Sequence, residues 1–148
     1  MKRSPALQPL SRDHHQALYA ALRLRRATGA DAGEAIDAFT SFWRGHGERH
    51  FRIEEEVLLP GFVAAGGDPR DPRVAKVLTD HVAIRARAMH LDRSAPLAAL
   101  SELGGRLSAH VRLEEDELFP LIEEALSPDA LASLGEELIR AGRRGSDP

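Results

Sequence analysis

The sequence contains no cysteine, which excludes disulfide bonds, thiolate zinc sites, cysteine-bound iron–sulfur clusters and cysteine nucleophiles. Aromatic residues make up only 5 % of the chain, β-branched residues are sparse, and no stretch alternates convincingly between polar and apolar residues, so strands are not expected. No apolar run reaches about eighteen residues, and no apolar segment follows the basic N-terminal stretch. We therefore expect neither a transmembrane helix nor a signal peptide.

The charge balance narrows the range of partners. With a net charge of −3, the chain has no general electrostatic attraction to nucleic acid or to an anionic membrane. We expect neither nucleic acid nor a membrane as a partner, and the sequence does not indicate a protein partner. By default, we expect a cytoplasmic protein. At 148 residues, of which 43 % are hydrophobic, the chain is expected to form a single domain over residues 1–148 with a buried core.

Helical periodicity extends over almost the whole chain and predicts four long helices. Their expected ranges are residues 11–27, 31–60, 73–91 and 97–120, the last with an extension to 126. Ser11 is predicted to cap the first helix, and Pro60 and Pro120 are predicted to end the second and the fourth. The expected fold class is all-α, an antiparallel up-down-up-down four-helix bundle over about residues 8–126, with a short C-terminal fifth helix over about 128–141.

One eleven-residue phrase occurs twice in the chain. HFRIEEEVLLP spans residues 50–60 and HVRLEEDELFP spans residues 110–120, and six of the eleven positions are identical. An Asp-His pair is also repeated, at residues 13–14 in the first predicted helix and at residues 80–81 in the third. The repetition indicates two helical hairpins of one design.

At about 100° per residue, six polar side chains fall on the apolar stripes of the four helices. They are His14, His50, Glu54, His81, His110 and Glu114. Burying two carboxylates without compensation is strongly unfavourable, and the only cationic residue on the core stripe nearby is Arg85. A metal site compensates the carboxylates best. Imidazole and carboxylate groups together are ligands of iron, manganese or zinc, and two bridging carboxylates suit a dinuclear centre.

This arrangement resembles the hemerythrin-like, or HHE cation-binding, family over about residues 8–126. The resemblance rests on the two Asp-His pairs and on the doubled His-x-x-x-Glu-Glu phrase. Members of that family hold a non-haem di-iron centre in an antiparallel four-helix bundle, so the resemblance implies two iron ions, with manganese or zinc as substitutes. Carried over by position, the resemblance implies that His14 and His50 are terminal ligands of one metal ion and that His81 and His110 are terminal ligands of the other. It implies that Glu54 and Glu114 bridge the two ions.

The sequence departs from the oxygen-carrying members of that family in two places. Those proteins have a second histidine four residues after the first on the third helix, where this chain has Arg85. They also have His-x4-Asp on the last helix, where this chain has Glu115 beside the better-placed Glu114. The implied site is one histidine short, which speaks against reversible oxygen carriage and leaves open positions for water or a small diatomic molecule.

Several neighbouring residues are alternatives or outer partners of these ligands. His15 is the rival of His14 as the ligand from the first helix, although the repeated Asp-His pair favours His14. His46 is expected to be an outer partner or to line a channel. Glu117 falls on the predicted inner face, either as an extra ligand or as a partner of Arg85. The residues expected on a solvated face or as partners of the histidine rings are Glu55, Glu56, Glu115 and Asp116.

These features favour a non-haem di-iron protein that binds or senses oxygen, peroxide or nitric oxide, or that handles iron. The partner would then be a small diatomic ligand or peroxide. One alternative is a di-iron oxidase or peroxide-decomposing enzyme with weak peroxidase- or catalase-like activity at the centre. Another is an interaction module that uses metal as a structural staple. We lean away from an enzyme, because the Glu-x-x-His motif of ferritin-like oxidases is absent.

Overall fold

The computed structural model describes residues 2–144 and confirms an all-α fold of five helices. The helices are α1 (Gln8–Arg25), α2 (residues 32–64), α3 (Pro72–Met89), α4 (residues 97–125) and α5 (Pro128–Arg144). No strand occurs among the described residues. Within the same part of the chain, no helix combines the length and apolar character needed to cross a bilayer.

α2 and α4 are interrupted by short π-helical turns. The turns are Trp43–Gly47 and Glu54–Leu58 in α2, and Glu114–Leu118 in α4. Two of the three begin at the central glutamate of the doubled phrase. A π turn is wider than an α-helical turn and occurs mostly at functional sites, so these turns direct attention to the glutamates.

The prolines of the doubled phrase do not end their helices: the predicted end of α2 at Pro60 was wrong, and α4 follows the predicted extension past Pro120. Both helices continue past Pro60 and Pro120. In each copy, the residue before the proline donates its N–H to the glutamate carbonyl five residues back and closes the π turn. These bonds run from Leu59 to Glu54 and from Phe119 to Glu114. The proline then stands in the first turn of the next α-helical segment, where its missing N–H is tolerated.

α1 also begins earlier than predicted. It starts at Gln8 rather than after Ser11, with Pro9 in its first turn, where no backbone N–H is needed for a helical bond. Ser11 therefore lies inside the helix rather than capping it.

Neighbouring bundle helices run antiparallel, because in each pair a later residue of one helix meets an earlier residue of the other. The contacts are Asp13–His50 and Arg23–Glu34 between α1 and α2, His14–Glu115 and Ala21–Gly104 between α1 and α4, and Asp80–His110 and Arg87–Glu102 between α3 and α4. Gly104 permits the closest approach, since a Cβ there would lie 2.6 Å from the Ala21 carbonyl oxygen.

The core consists of two apolar clusters, one toward each end of the bundle. One cluster contains Leu58 and Phe119, and α5 packs onto it through Leu134. The other cluster contains Phe39 and Leu103. Along each bundle helix, the histidine and glutamate positions of the doubled pattern fall between these two sets of apolar residues, so they form a polar layer across the middle of the bundle.

Candidate metal centre

The polar layer brings together histidine and glutamate side chains from all four bundle helices. Its members are His14 of α1, His50 and Glu54 of α2, His81 of α3, and His110 and Glu114 of α4. All six are buried, with exposed fractions between 0 and 7 %. These are the six side chains that the sequence pattern places on the core stripes.

The candidate ligand atoms of the layer form two groups of four residues. The first group is His14, His50, Glu54 and Glu114, and the second is Glu54, His81, His110 and Glu114. Within each group the ligand atoms all lie within 4.8 Å of one another. Both glutamates belong to both groups, and two sites that share their carboxylates are the arrangement expected of a dinuclear metal centre.

The closest contacts in the layer join imidazole Nε2 atoms to carboxylate oxygens. His50 Nε2 lies 2.7 Å from Glu54 Oε1, and His110 Nε2 lies 2.5 Å from Glu114 Oε1. His81 Nε2 lies 3.9 Å from a Glu54 oxygen and 3.7 Å from a Glu114 oxygen. The imidazole nitrogens therefore point toward the oxygens of the shared carboxylates.

The atoms at the centre of the layer have no hydrogen-bond partner outside it, and their contacts with one another become hydrogen bonds only where one of the two atoms is protonated. These atoms are the Nε2 atoms of His14, His50, His81 and His110 and both carboxylate oxygens of Glu54 and Glu114. Each unpaired buried polar atom costs roughly 1–3 kcal/mol, so eight in one place require another explanation. A cation in each group would satisfy all of them, and the donor set of imidazole nitrogens and carboxylate oxygens therefore fits a pair of metal ions.

The comparison with known proteins agrees with this chemistry. Residues 9–128 match the family described as Hemerythrin HHE cation binding domain. The chain belongs to this family. The matched range includes all six side chains of the polar layer, so cation binding is the property that the family and the donor set share. No curated protein and no solved structure gives a match to the chain.

Each histidine of this hemerythrin-family centre is held by a carboxylate at its other ring nitrogen. The Nδ1–H groups of His14, His50, His81 and His110 donate to Glu115 (2.7 Å), Asp13 (3.1 Å), Glu55 (2.6 Å) and Asp80 (3.3 Å), respectively. Such a bond fixes the orientation of the ring, makes it more basic, and leaves Nε2 directed at the metal position. All four rings are therefore oriented before any metal binds.

The four outer carboxylates repeat the twofold design of the chain. Asp13 and Asp80 each support the histidine of the next helix in their own hairpin, whereas Glu55 and Glu115 each support a histidine of the other hairpin. The sequence pattern indicates the two glutamates as partners but gives the two aspartates no role. Their signal was nevertheless present in the repeated Asp-His pair.

The two shared glutamates have opposite pKa shifts. Burial and the facing charge of Glu114 raise the pKa of Glu54 well above its usual value. Burial acts on Glu114 in the same direction, but the charge of His110 and hydrogen bonds from the surrounding side chains outweigh it, so the pKa of Glu114 lies well below its usual value. In the metal-free protein, these shifts favour a proton on Glu54 and a negative charge on Glu114.

The histidines respond to the same charges. Burial lowers the pKa of His110, but the charge of Glu114 and the hydrogen bonds to Asp80 and Glu114 raise it to about 10. Burial likewise lowers the pKa of His14, and its hydrogen bonds to Glu114 and Glu115 leave it above the usual value. For Glu115, burial is outweighed mainly by the hydrogen bond from His14, and its pKa falls to about 2.

We expect metal affinity to fall on acidification. At neutral pH the metal-free protein carries a proton on His110, whose pKa is about 10, and a cation must displace it. The raised pKa of Glu54 adds to this competition between protons and metal. Affinity should therefore rise with pH, and it should fall by at least about tenfold for each unit of acidification. Competition with a chelator between pH 8 and pH 6, corrected for protonation of the chelator, measures this dependence. An affinity independent of pH would contradict it.

Three residues considered at the sequence level lie outside both groups. His15 is exposed, because one step along an α-helix turns the side chain about 100° away from His14, so the structure does not support it as the ligand from α1. His46 is exposed and lines two cavities beside His50. Glu117 is also exposed, so its expected place on the inner face is wrong.

Arg85, which occupies the position of the additional histidine of oxygen carriers, acts on the centre from outside. Its guanidinium lies 3.1 Å from Glu55, the carboxylate that accepts the hydrogen bond from His81. It also lies 5.7 Å from the ring centroid of Phe51, and Phe51 stacks on His81 at 3.8 Å. Arg85 therefore buttresses the partners of His81 and is paired with Glu55, not with Glu117.

A small apolar pocket adjoins the centre on the side of α1, α2 and α4. It is lined by Ala17, Phe42, Gly47, Phe51, Leu107 and Val111, together with Asp13, His14, His46, His50 and His110. The space open to the centre of a water-sized molecule is about 10 Å³, which is enough for roughly one water. The pocket therefore has room for a molecule about the size of one water beside the centre.

Proposed function

We propose that the protein binds two iron ions in the polar layer and uses them to bind or sense a small molecule (oxygen, peroxide or nitric oxide) or to handle iron. The observation that carries this proposal is that Glu54 and Glu114 belong to both groups of ligand atoms. Glu54 and Glu114 would each contribute to holding both ions, and each of the four histidines would contribute a ring nitrogen to one of them. Manganese or zinc could occupy the same donor set.

The charges of the layer favour an anionic or polarizable ligand. Two divalent cations would carry four positive charges, of which the two shared carboxylates offset half. Three outer carboxylates also have lowered pKa values and remain ionised: Asp13, Asp80 and Glu115. They place negative charge on the side of the histidine rings that faces away from the metal positions. The positive charge that the shared carboxylates leave would therefore be available to a small anion or a readily reduced molecule at the ions, and the outer carboxylates would limit how much negative charge such a ligand can bring.

Bound iron supplies open coordination positions and a change of oxidation state, and the chain supplies the surroundings in which these act. Its carboxylate-held imidazoles keep their orientation and retain the proton on Nδ1. Phe119 stacks on His14 at 5.5 Å and Phe51 stacks on His81 at 3.8 Å, so aromatic rings exclude water from both histidine pairs. The apolar pocket limits access by size.

The proposal predicts a spectroscopic response to small ligands. Iron-loaded protein titrated with azide in the oxidised state, and with nitric oxide in the reduced state, should show saturable changes in its absorption spectrum. Zinc-loaded protein is the control, because it keeps the fold and the charges but lacks the iron transitions. A closed structural metal site predicts no response to either ligand, and that result would contradict ligand binding.

Measurement of catalytic turnover distinguishes binding or sensing of peroxide from the alternative, a peroxide-decomposing enzyme at the same centre. Peroxide added to iron-loaded protein should be consumed stoichiometrically if the centre binds or senses it. Sustained oxygen release above that of an equal amount of free iron would instead identify a peroxide-decomposing enzyme.

A further inference from the structure

A second cavity lies beside the polar layer, between α1, α2 and α5. Its volume is about 400 Å³, which is within the range of sites that bind small molecules. Three arginines line it, one from each helix: Arg12, Arg49 and Arg143. His46 adds a fourth nitrogen-bearing side chain, and apolar residues of α2 and α5 complete the wall.

The arginines of this cavity have no anionic partner. Within residues 2–144, no carboxylate lies within ion-pair distance of Arg12, Arg49 or Arg143, and none of the three donates a hydrogen bond to another described side chain. The one acidic residue in the wall is Asp13, and its carboxylate already accepts the hydrogen bond from His50. Among residues 2–144, the cavity therefore collects more positive charge than the one carboxylate in its wall, that of Asp13, neutralises.

The twofold design of the bundle provides an internal comparison. The equivalent face of the other hairpin, around Asp80, is also a cavity, lined by Lys76, Glu102, Arg106 and Ala109 among others. There the position of Arg49 is taken by Ala109, sixty residues further on. The cations that remain are neutralised, because Lys76 pairs with Asp80 and Arg106 pairs with Glu102 at 3.0 Å.

The face around Asp13 and the face around Asp80 therefore differ in charge, and they also differ in whether α5 packs over them. α5 lies over the first face and contributes Arg143 together with Leu138 and Ile139, whereas no residue of α5 lines the second face. Unpaired guanidinium groups beside an apolar wall suit an oxyanion, because arginine presents several N–H donors in a fixed planar fork that matches phosphate oxygens.

We propose that the cavity between α1, α2 and α5 is a binding site for a phosphate group, held by Arg12, Arg49 and Arg143. The phosphate is either free or carried on a small organic molecule whose apolar part packs on Ile53, Leu138 and Ile139. The proposal is independent of the metal centre, because none of the three arginines belongs to it. The site nevertheless adjoins only the His14–His50 group, through Asp13 and His50 in its wall.

Isothermal titration of the full-length, zinc-loaded protein tests the proposal with two probes, inorganic phosphate and phenyl phosphate, at low chloride concentration. Both should bind, and Arg49→Gln should weaken both by about fivefold or more, since a partly exposed guanidinium contributes a charge-assisted hydrogen bond. Tighter binding of phenyl phosphate indicates an organic phosphate as the ligand, and equal binding indicates free phosphate. The matched control is Arg106→Gln, which removes a cation from the equivalent face and should leave both affinities unchanged.

Three results would overturn the proposal. They are the absence of binding by both probes, wild-type affinity in Arg49→Gln, and an equal loss of affinity in Arg106→Gln. Phosphate binding directly to the metal ions would give the second result, so it is distinguished from binding at the arginines. If Arg49→Gln does not fold, as judged by circular dichroism, Arg12→Gln and Arg143→Gln carry the same prediction at exposed positions.

Discussion

Replacement of either shared glutamate is expected to abolish binding of both metal ions. Glu54→Gln and Glu114→Gln each remove one carboxylate from both groups of ligand atoms, so each should weaken both sites by more than the roughly 10–100-fold that loss of an outer partner costs. His81→Ala removes a ligand from one group only. That variant should retain the ion of the His14–His50 group and lose the other. Metal analysis after iron loading and desalting gives the ratio of metal to protein in each variant.

The chain offers matched controls for these substitutions. Glu56 and Glu117 lie on the same helices as the shared glutamates but are exposed, so Glu56→Gln and Glu117→Gln change the charge equally without touching the polar layer. Both controls should bind metal as the wild type does. Wild-type metal content in Glu54→Gln and Glu114→Gln would refute the assignment of these residues as shared ligands.

Removal of metal is expected to lower the melting temperature by about 10 °C. A ligand present at about a thousand times its dissociation constant stabilises the folded state by roughly 4 kcal/mol, and each kcal/mol shifts the melting temperature of a chain of this size by a few degrees. The reason is that the metal-free layer leaves the four histidine Nε2 atoms and the four carboxylate oxygens of Glu54 and Glu114 without partners outside the layer. Differential scanning calorimetry before and after chelation, at one pH, measures the difference.

The substitution Glu54→Gln is expected to change the melting temperature differently in metal-free and in metal-loaded protein. In metal-free protein, Glu54 is the carboxylate whose pKa is raised well above its usual value, so burial favours its neutral form, to which glutamine is close in size and charge. Glu54→Gln should therefore melt at or above the temperature of metal-free wild type, but well below metal-loaded wild type. If the variant is less stable than wild type by the same amount in both states, the residue has a packing role and no role in metal binding.

The sequence is sufficient to predict the six side chains of the polar layer. The helical period assigns them to core stripes, and the doubled phrase and the repeated Asp-His pair indicate the twofold relation between them. His14 and His15 are separated only by the helical period, and the structure buries His14 and exposes His15. A period of 3.6 residues carries enough information where the helix is regular, and α1 is regular.

The departures from prediction come from the π turns, which a constant period does not anticipate. With 3.6 residues per turn, the third and the fourth residue after each shared glutamate both lie near its face of the helix, but only the fourth, Leu58 or Leu118, is fully buried, whereas Val57 is partly buried and Glu117 is exposed. A π turn adds one residue to the helix and shifts every later side chain accordingly. The same shift moves Glu117 out to the surface.

The outer partners were harder to predict because they depend on which helices are neighbours. Asp13 reaches His50 in the next helix, and Arg85 reaches Glu55 across α2 and α3. Neither contact follows from the periodicity of one helix. Both required the packing of the bundle, although the repeated Asp-His pair marked two of the residues involved.

Anomalous X-ray diffraction from crystals of iron-loaded protein, collected at the iron absorption edge, tests the central claim most directly. We predict two iron peaks between Glu54 and Glu114, one beside His14 and His50 and the other beside His81 and His110. A single peak, or peaks away from the shared carboxylates, would contradict a dinuclear centre in the polar layer.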